Sequence, residues 1–212
     1  MAVKAILFDF WGTLVDNGVY PSPIRQAQRI LGVRMPFSDY VIQFENVFMT
    51  RKFPSLADGF TEVAHSFNIR PRSYQIENLV GLWNKNRILA KPYPETIAVL
   101  EDLKKDFTLA LVSNIDSFTI EPILEKFKMN SYFDIITLSY DARKLKTDPE
   151  FYLSTLSSLN IEKEEAVVVG DSIETDIFGA EKAGIRAILV DRKNTRIYKE
   201  KVADLNELRK IL

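Results

Sequence analysis

Short runs of branched and aromatic residues, each stopping at a polar residue and each followed by a helical pattern, constrain this chain more than any other feature. Val3-Lys4-Ala5-Ile6-Leu7-Phe8 stops at Asp9, Thr108-Leu109-Ala110-Leu111-Val112-Ser113 ends in Ser113-Asn114, and Ala166-Val167-Val168-Val169-Gly170 stops at Asp171. Asp134 to Leu138 and Arg186 to Val190 read the same way. Runs of this length without apolar and polar alternation fit strands buried on both faces. The segments between them, 95–105, 117–127, 149–159 and 173–183, carry helical periodicity. Strands that alternate with helices predict a doubly wound parallel sheet of the α/β class, with helices on both faces.

One stretch breaks this rhythm. From Ile24 to Leu89 apolar residues recur at helical spacing in four blocks, for example Tyr40, Val41, Phe44, Val47 and Phe48, then Leu56, Phe60, Val63, Ala64 and Phe67. Breaks fall at Gly32 to Pro36, Phe53-Pro54-Ser55 and Arg70-Pro71-Arg72-Ser73, with Ser22, Ser38, Ser55 and Ser73 at or next to the N-caps of the helices that follow. The expectation is an all-helical domain at 17–91, inserted into a core made of 1–16 and 92–212 and acting as a lid over a strand-end site. Its aromatic stripes, with Trp83 among them, read as packing. His65, the only histidine, reads as a surface or half-buried residue of this segment. The charged tail from Thr195 to Leu212 shows only a weak helical period near its end.

A formal net charge of -1 gives no global attraction for nucleic acid or anionic membrane, and there are no cysteines to form disulfides or thiolate metal sites. No apolar run is long enough to span a bilayer. The first residues pass directly into a strand, so no signal peptide is expected, and a cytoplasmic location is.

In open parallel sheets, ligands bind beyond the carboxyl ends of the strands. That rim would gather Asp9 and Thr13, Ser113 and Asn114, Lys146 within Lys144-Leu145-Lys146-Thr147-Asp148, and Asp171 with Asp176. Alone, each has a plainer reading: Asp9 as a turn cap, Ser113 as a helix N-cap, Lys146 as a solvated loop lysine, and Asp176 as an acid near a helix start. Together they make a different object. Carboxylates brought close repel unless a cation sits between them, and Mg²⁺ accepts carboxylates, carbonyls and phosphate oxygens. A lysine and a hydroxyl beside them would complete a phosphoryl pocket.

Asp9-Phe10-Trp11-Gly12-Thr13, Ser113 after a strand, Lys146 ahead of Asp148-Pro149-Glu150, and Gly170-Asp171 with Asp176 resemble, in order, the four motifs of the haloacid dehalogenase superfamily. Lys91-Pro92-Tyr93-Pro94-Glu95 and Ala180-Glu181-Lys182-Ala183-Gly184-Ile185 are similar to its flanking sequence, and the likeness extends from about Val3 to Val190. The resemblance implies a Rossmann-like core with an inserted helical cap, and a Mg²⁺-dependent phosphatase acting on a small phosphorylated metabolite. It implies that Asp9 is the nucleophile and becomes an aspartyl-phosphate. Mg²⁺ would be held by Asp9, the Trp11 carbonyl and Asp171, with Asp176 supporting the metal's waters or the lysine. Thr13, Ser113, Asn114 and Lys146 would hold the phosphate.

The sequence departs from the superfamily at one position. Phosphatases of this kind usually carry a second aspartate two residues after the nucleophile as general acid and base, and here Trp11 stands there. General acid–base help is worth about 10²- to 10⁴-fold. The substitution implies leaving groups that need no proton, an acid recruited from the cap, or different chemistry. Dehalogenases of the superfamily also carry an aromatic residue at this position, and Lys146 and Tyr152 keep a spacing resembling theirs. Dehalogenation of a 2-haloacid is therefore the alternative, and a degenerate metal-binding module is a further one.

Overall fold

The computed structural model describes residues 2–212. Its centre is a six-stranded sheet in the order β5-β4-β1-β6-β7-β8, every neighbouring pair parallel. The strands are β1 (Ala5–Phe8), β4 (Thr108–Ser113), β5 (Ile135–Leu138), β6 (Ala166–Gly170), β7 (Arg186–Val190) and the two-residue β8 (Lys201–Val202). β1 and β6 are buried along their whole length, as their unbroken apolar sequence requires. β1 is central: the chain builds outward from it to β5 on one side, then returns to add β6, β7 and β8 on the other.

Alternation along the strands divides the core into two layers. On one face Ile6, Phe8, Leu109, Leu111, Val167 and Val169 pack under α5 (Thr96–Leu103), α6 (Ile120–Lys126) and the 3₁₀ helix Leu205–Lys210. On the other face the small residues Ala5, Ala110, Ala166 and Ala187 admit the bulk of Phe151, Tyr152 and Leu156 from α8 (Pro149–Leu159) and of Ala180 from α9 (Phe178–Lys182). Burying one branched or aromatic side chain contributes about 1.5–3 kcal/mol. Truncating Phe8, which has no exposed surface, would cost about 3–5 kcal/mol.

Four helices fill the interval after β1: α1 (Pro23–Leu31), α2 (Phe37–Phe48), α3 (Leu56–Ser66) and α4 (Ser73–Leu89). Ser22 and Ser55 cap α1 and α3 through their hydroxyls, each accepting a backbone N–H. The bundle has its own aromatic core, in which Phe48 stacks on Phe60 at 4.7 Å between centroids and Trp83 meets Phe44, Phe48 and Phe60. The chain enters and leaves this bundle through a two-stranded antiparallel ribbon, β2 (Val15–Asp16) against β3 (Lys91–Pro92). Contacts to the rest of the chain include Leu145, which packs in the bundle's core, and ion pairing of Lys52 with Asp141 at 2.6 Å.

Several segments differ from the sequence reading. α6 begins at Ile120 rather than Ser117, because Asp116 accepts bonds from the Phe118 N–H and the Thr119 hydroxyl and holds 117–119 as a turn. The helix expected from Ile173 opens as a wide π-helical turn, Ile173–Ile177, which swings Asp176 inward. A four-residue helix, α7 (Ser139–Ala142), follows β5 where no element was expected. Among the described residues, no helix is long and apolar enough to cross a membrane.

Candidate active site

Asp9 stands one residue beyond β1, fixed by its own N–H donating to the Val169 carbonyl at 2.9 Å. The chain then turns tightly: the N–H groups of Leu14 and Val15 both donate to the Phe10 carbonyl. That turn brings Thr13 back beneath Asp9, where its hydroxyl donates to Oδ2 at 2.9 Å. Gly12 lies at the bend with φ +77, and a Cβ there would stand 2.3 Å from Oδ2 of Asp171. A side chain at this point would both strain the backbone and displace the acid.

Lys146 arrives on the loop after α7 and is 1% exposed. Its ammonium group donates to Oδ1 of Asp9 and, at 2.8 Å, to Oδ1 of Asp176. Asp176 also accepts the Ser172 N–H through Oδ2 at 3.0 Å, and the absence of a Cβ at Gly170 makes room for it. Carboxylate oxygens of Asp9, Asp171 and Asp176 all lie within 4.8 Å of one another.

Electrostatics follow from that crowding. Burial and then the charge of Asp176 raise Asp9 to about 6, against the opposing pull of Lys146. Burial, with Asp9 and Asp176, pushes Asp171 well above the usual carboxylate range. Burial acts to lower Lys146, but the two acids outweigh it and hold it above its ordinary value as a cation. Three acids against one lysine leave an excess of negative charge among hard oxygen donors. That donor set fits Mg²⁺, which takes few carboxylates and completes its shell with water and phosphate.

Ser113 ends β4 with a buried hydroxyl that has no partner among the described residues. Asn114 next to it is spoken for on both sides of its amide. Its oxygen accepts the Lys146 N–H at 2.9 Å, and its nitrogen donates to Oε2 of Glu45, from α2, at 2.9 Å. Trp11 is half-buried and packs edge-on against Phe10 at 5.0 Å. His65 is exposed on α3 and takes no part in the cluster. Trp83 belongs to the bundle core, yet its indole N–H also donates to Oδ2 of Asp116 at 2.9 Å, a link the sequence did not suggest.

Sequence reasoning also missed the supports behind β7. Arg192 donates to the carbonyls of Gly12 and Thr13, pairs with Glu95 at 2.7 Å, and lies 3.4 Å over the ring of Tyr93. Arg196 donates to the backbone carbonyls of Asp171 and Val190 and is itself held by buried Asp191. Asp191 and Arg192 directly follow a strand, so the rule that found the other rim residues extends to them. Glu45 left no such signal.

The sheet therefore carries an acid at the end of its first strand, a lysine pinned to that acid and two more acids beside it. The sequence matches the haloacid dehalogenase-like hydrolase family over residues 6–190, and the chain belongs to that family. It is 31% identical to a phosphoglycolate phosphatase of Aquifex aeolicus over 191 residues, 88% of this chain and 84% of the relative. The fold is similar to that of a HAD phosphatase from Thermococcus onnurineus, with a TM-score of 0.66, 26% identity, and coverage of 99% of this chain and 97% of that one. It is equally similar in fold to a 2-haloacid dehalogenase from Pseudomonas syringae pv. Tomato DC3000, with a TM-score of 0.67, 22% identity and the same coverage.

Proposed function

We propose that this protein is a Mg²⁺-dependent phosphatase of small phosphorylated metabolites, working through an aspartyl-phosphate on Asp9. The observation that carries the reading is the carboxylate of Asp9 at the sheet rim, pinned by Lys146 and Thr13 beside two further acids. Phosphatases among the relatives support it.

Asp9 would attack phosphorus with one carboxylate oxygen, and water would later hydrolyse the acyl phosphate and restore the acid. Thr13 and Lys146 fix the rotamer of Asp9, so the nucleophile loses little freedom when substrate binds. The free hydroxyl of Ser113 and the Asn114 backbone amide suit phosphate oxygens, and the Lys146 cation would balance the charge spread over them. Asp176 receives Lys146 on one oxygen and the Ser172 N–H on the other, which suits an anchor for the lysine. Asp9, Asp171 and the Trp11 carbonyl would hold Mg²⁺, with Asp176 behind them. When bound, the ion offsets the crowded carboxylates and draws charge from the phosphoryl group. The helical bundle would act as a lid and set substrate choice, and a cytoplasmic place of action suits a chain without cysteine.

Two-haloacid hydrolysis has less support. A haloacid brings its own carboxylate, which three neighbouring acids would repel. Phosphate release from a panel of phosphate esters tests the assignment: Mg²⁺-dependent turnover that Asp9→Asn abolishes is expected. Turnover that survives in that variant, or chloride release from a 2-haloacid in the presence of chelator, overturns it.

A further inference from the structure

Expelling an alkoxide from phosphorus needs a proton at the leaving oxygen, and the rim has no group free to give one. Trp11 carries no acid, and the Thr13 hydroxyl is committed to Asp9. Lys146 is locked as a cation between two carboxylates. Asp171 would be given over to Mg²⁺ in the reading above, Asp176 has both oxygens engaged, and burial holds the Tyr152 phenol well above its ordinary range. The proton has to come from the other side of the pocket.

In-line displacement fixes where that side is. If Asp9 attacks from the sheet, the leaving oxygen departs away from the sheet, toward the helical bundle. There α2 delivers Glu45, whose Oε2 accepts from Asn114, the residue after Ser113, at 2.9 Å. Among the described residues, its Oε1 has no partner. We infer that Glu45 is the general acid and base of this enzyme, supplied by the bundle in place of the acid that Trp11 lacks. The inference rests on the aspartyl-phosphate reading above.

Burial raises Glu45 to about 7, with Asn114 and Lys146 opposing the shift and Asp176 and Asp9 adding to it. An acid near neutrality both holds a proton and releases one. Glu45 is only half-buried, so solvent can reload it. In the first step the Asp9 oxygen bonds to phosphorus, the ester P–O bond breaks with its electron pair on the leaving oxygen, and Glu45 gives that oxygen its proton. The alcohol leaves, and Glu45 is a carboxylate. In the second step Glu45 takes a proton from water as the water oxygen bonds to phosphorus. The Asp9–phosphorus bond then breaks, its pair returning to the Asp9 carboxylate, and inorganic phosphate departs.

The test compares an alkyl phosphate with dinitrophenyl phosphate, whose leaving group needs no proton. Gln at position 45 keeps the volume and the acceptor for Asn114. Glu45→Gln is expected to lose about 10²- to 10⁴-fold in kcat on the alkyl ester and far less on the aryl ester, which also reports that the variant is folded. The alkyl rate of the unaltered chain should fall above about pH 7, the Glu45 value, and that limb should vanish in the variant. Adding Trp11→Asp to Glu45→Gln should restore part of the alkyl rate. Equal losses on both esters, or an unchanged pH limb, overturn the role of Glu45 alone. No turnover of any phosphate by the unaltered chain overturns the phosphatase reading and this inference with it.

Discussion

The indole N–H of Trp83 donates to Oδ2 of Asp116 across 2.9 Å, tying the centre of the helical bundle to the turn beyond β4. Asp116 is buried, and burial holds its carboxyl above the usual range despite this bond and those from Phe118 and Thr119. Trp83→Phe removes the donor and leaves part of a buried acid unsatisfied. A loss of about 1–3 kcal/mol is expected. Urea unfolding measures it, and an unchanged midpoint would show that the link contributes nothing.

Among the described residues, Lys146 is the one cation paired with Asp9 and Asp176. Removing one partner from a buried charged cluster costs about 3–5 kcal/mol, because the remaining charges stay desolvated. Lys146→Met should therefore melt lower than the unaltered chain when Mg²⁺ is chelated, and added Mg²⁺ should recover part of the difference. Thermal unfolding with and without chelator checks both statements.

Gly12, in the loop after Asp9, lies against the Asp171 carboxylate. Gly12→Ala forces a side chain into left-handed backbone, at about 1–2 kcal/mol, and into the space of the Asp171 carboxylate. The expected outcome is weaker Mg²⁺ binding together with lower stability. Calorimetric titration with Mg²⁺ against the unaltered protein reads the first effect separately from the second.

These three predictions draw unequally on sequence. β4, β6 and β7 were legible to the residue, because a strand buried on both faces writes itself as an unbroken apolar run. The rim residues were legible because parallel strands put their carboxyl ends on one side. β2 and β3 were not, since two residues carry no periodicity. Glu45 lies beside Phe44 on an amphipathic helix and resembles any polar position there; its meaning comes from Asn114, 69 residues away. Arg192 reaches back to the carbonyl of Thr13 across an even longer interval of chain.

Arg192 touches no reacting atom, so its effect should be one of placement. Arg192→Lys loses the fork that serves two carbonyls and Glu95 at once. If Asp9 is the nucleophile proposed above, a fall in kcat of about 10²-fold is the scale expected for its displacement by about an ångström, with KM altered much less. Steady-state kinetics separate the two; a change confined to KM would count against a placement role.

Asp191 supplies a pH signature of folding. Burial acts to raise its pKa, but the backbone N–H groups of Arg196 and Thr195, with Lys201 and the Arg196 side chain, bring it down from 3.8 to about 2. A carboxyl whose pKa is depressed in the folded state contributes stability above its unfolded value and loses it as pH falls through the folded one. Asp191→Asn should therefore be destabilised at neutral pH, and the gap should narrow between 3.8 and about 2. Acid unfolding of the two proteins, followed by circular dichroism, measures that convergence.

The ribbon of Val15 and Asp16 against Pro92 and Lys91 places both ends of the bundle side by side, directly after the turn that carries Thr13. An appendage fastened at a single spot can be remodelled, enlarged or exchanged while the sheet beneath it keeps its register. If the proton donor travels with that appendage, then altering what the enzyme selects and altering how fast it releases an alcohol become the same evolutionary event.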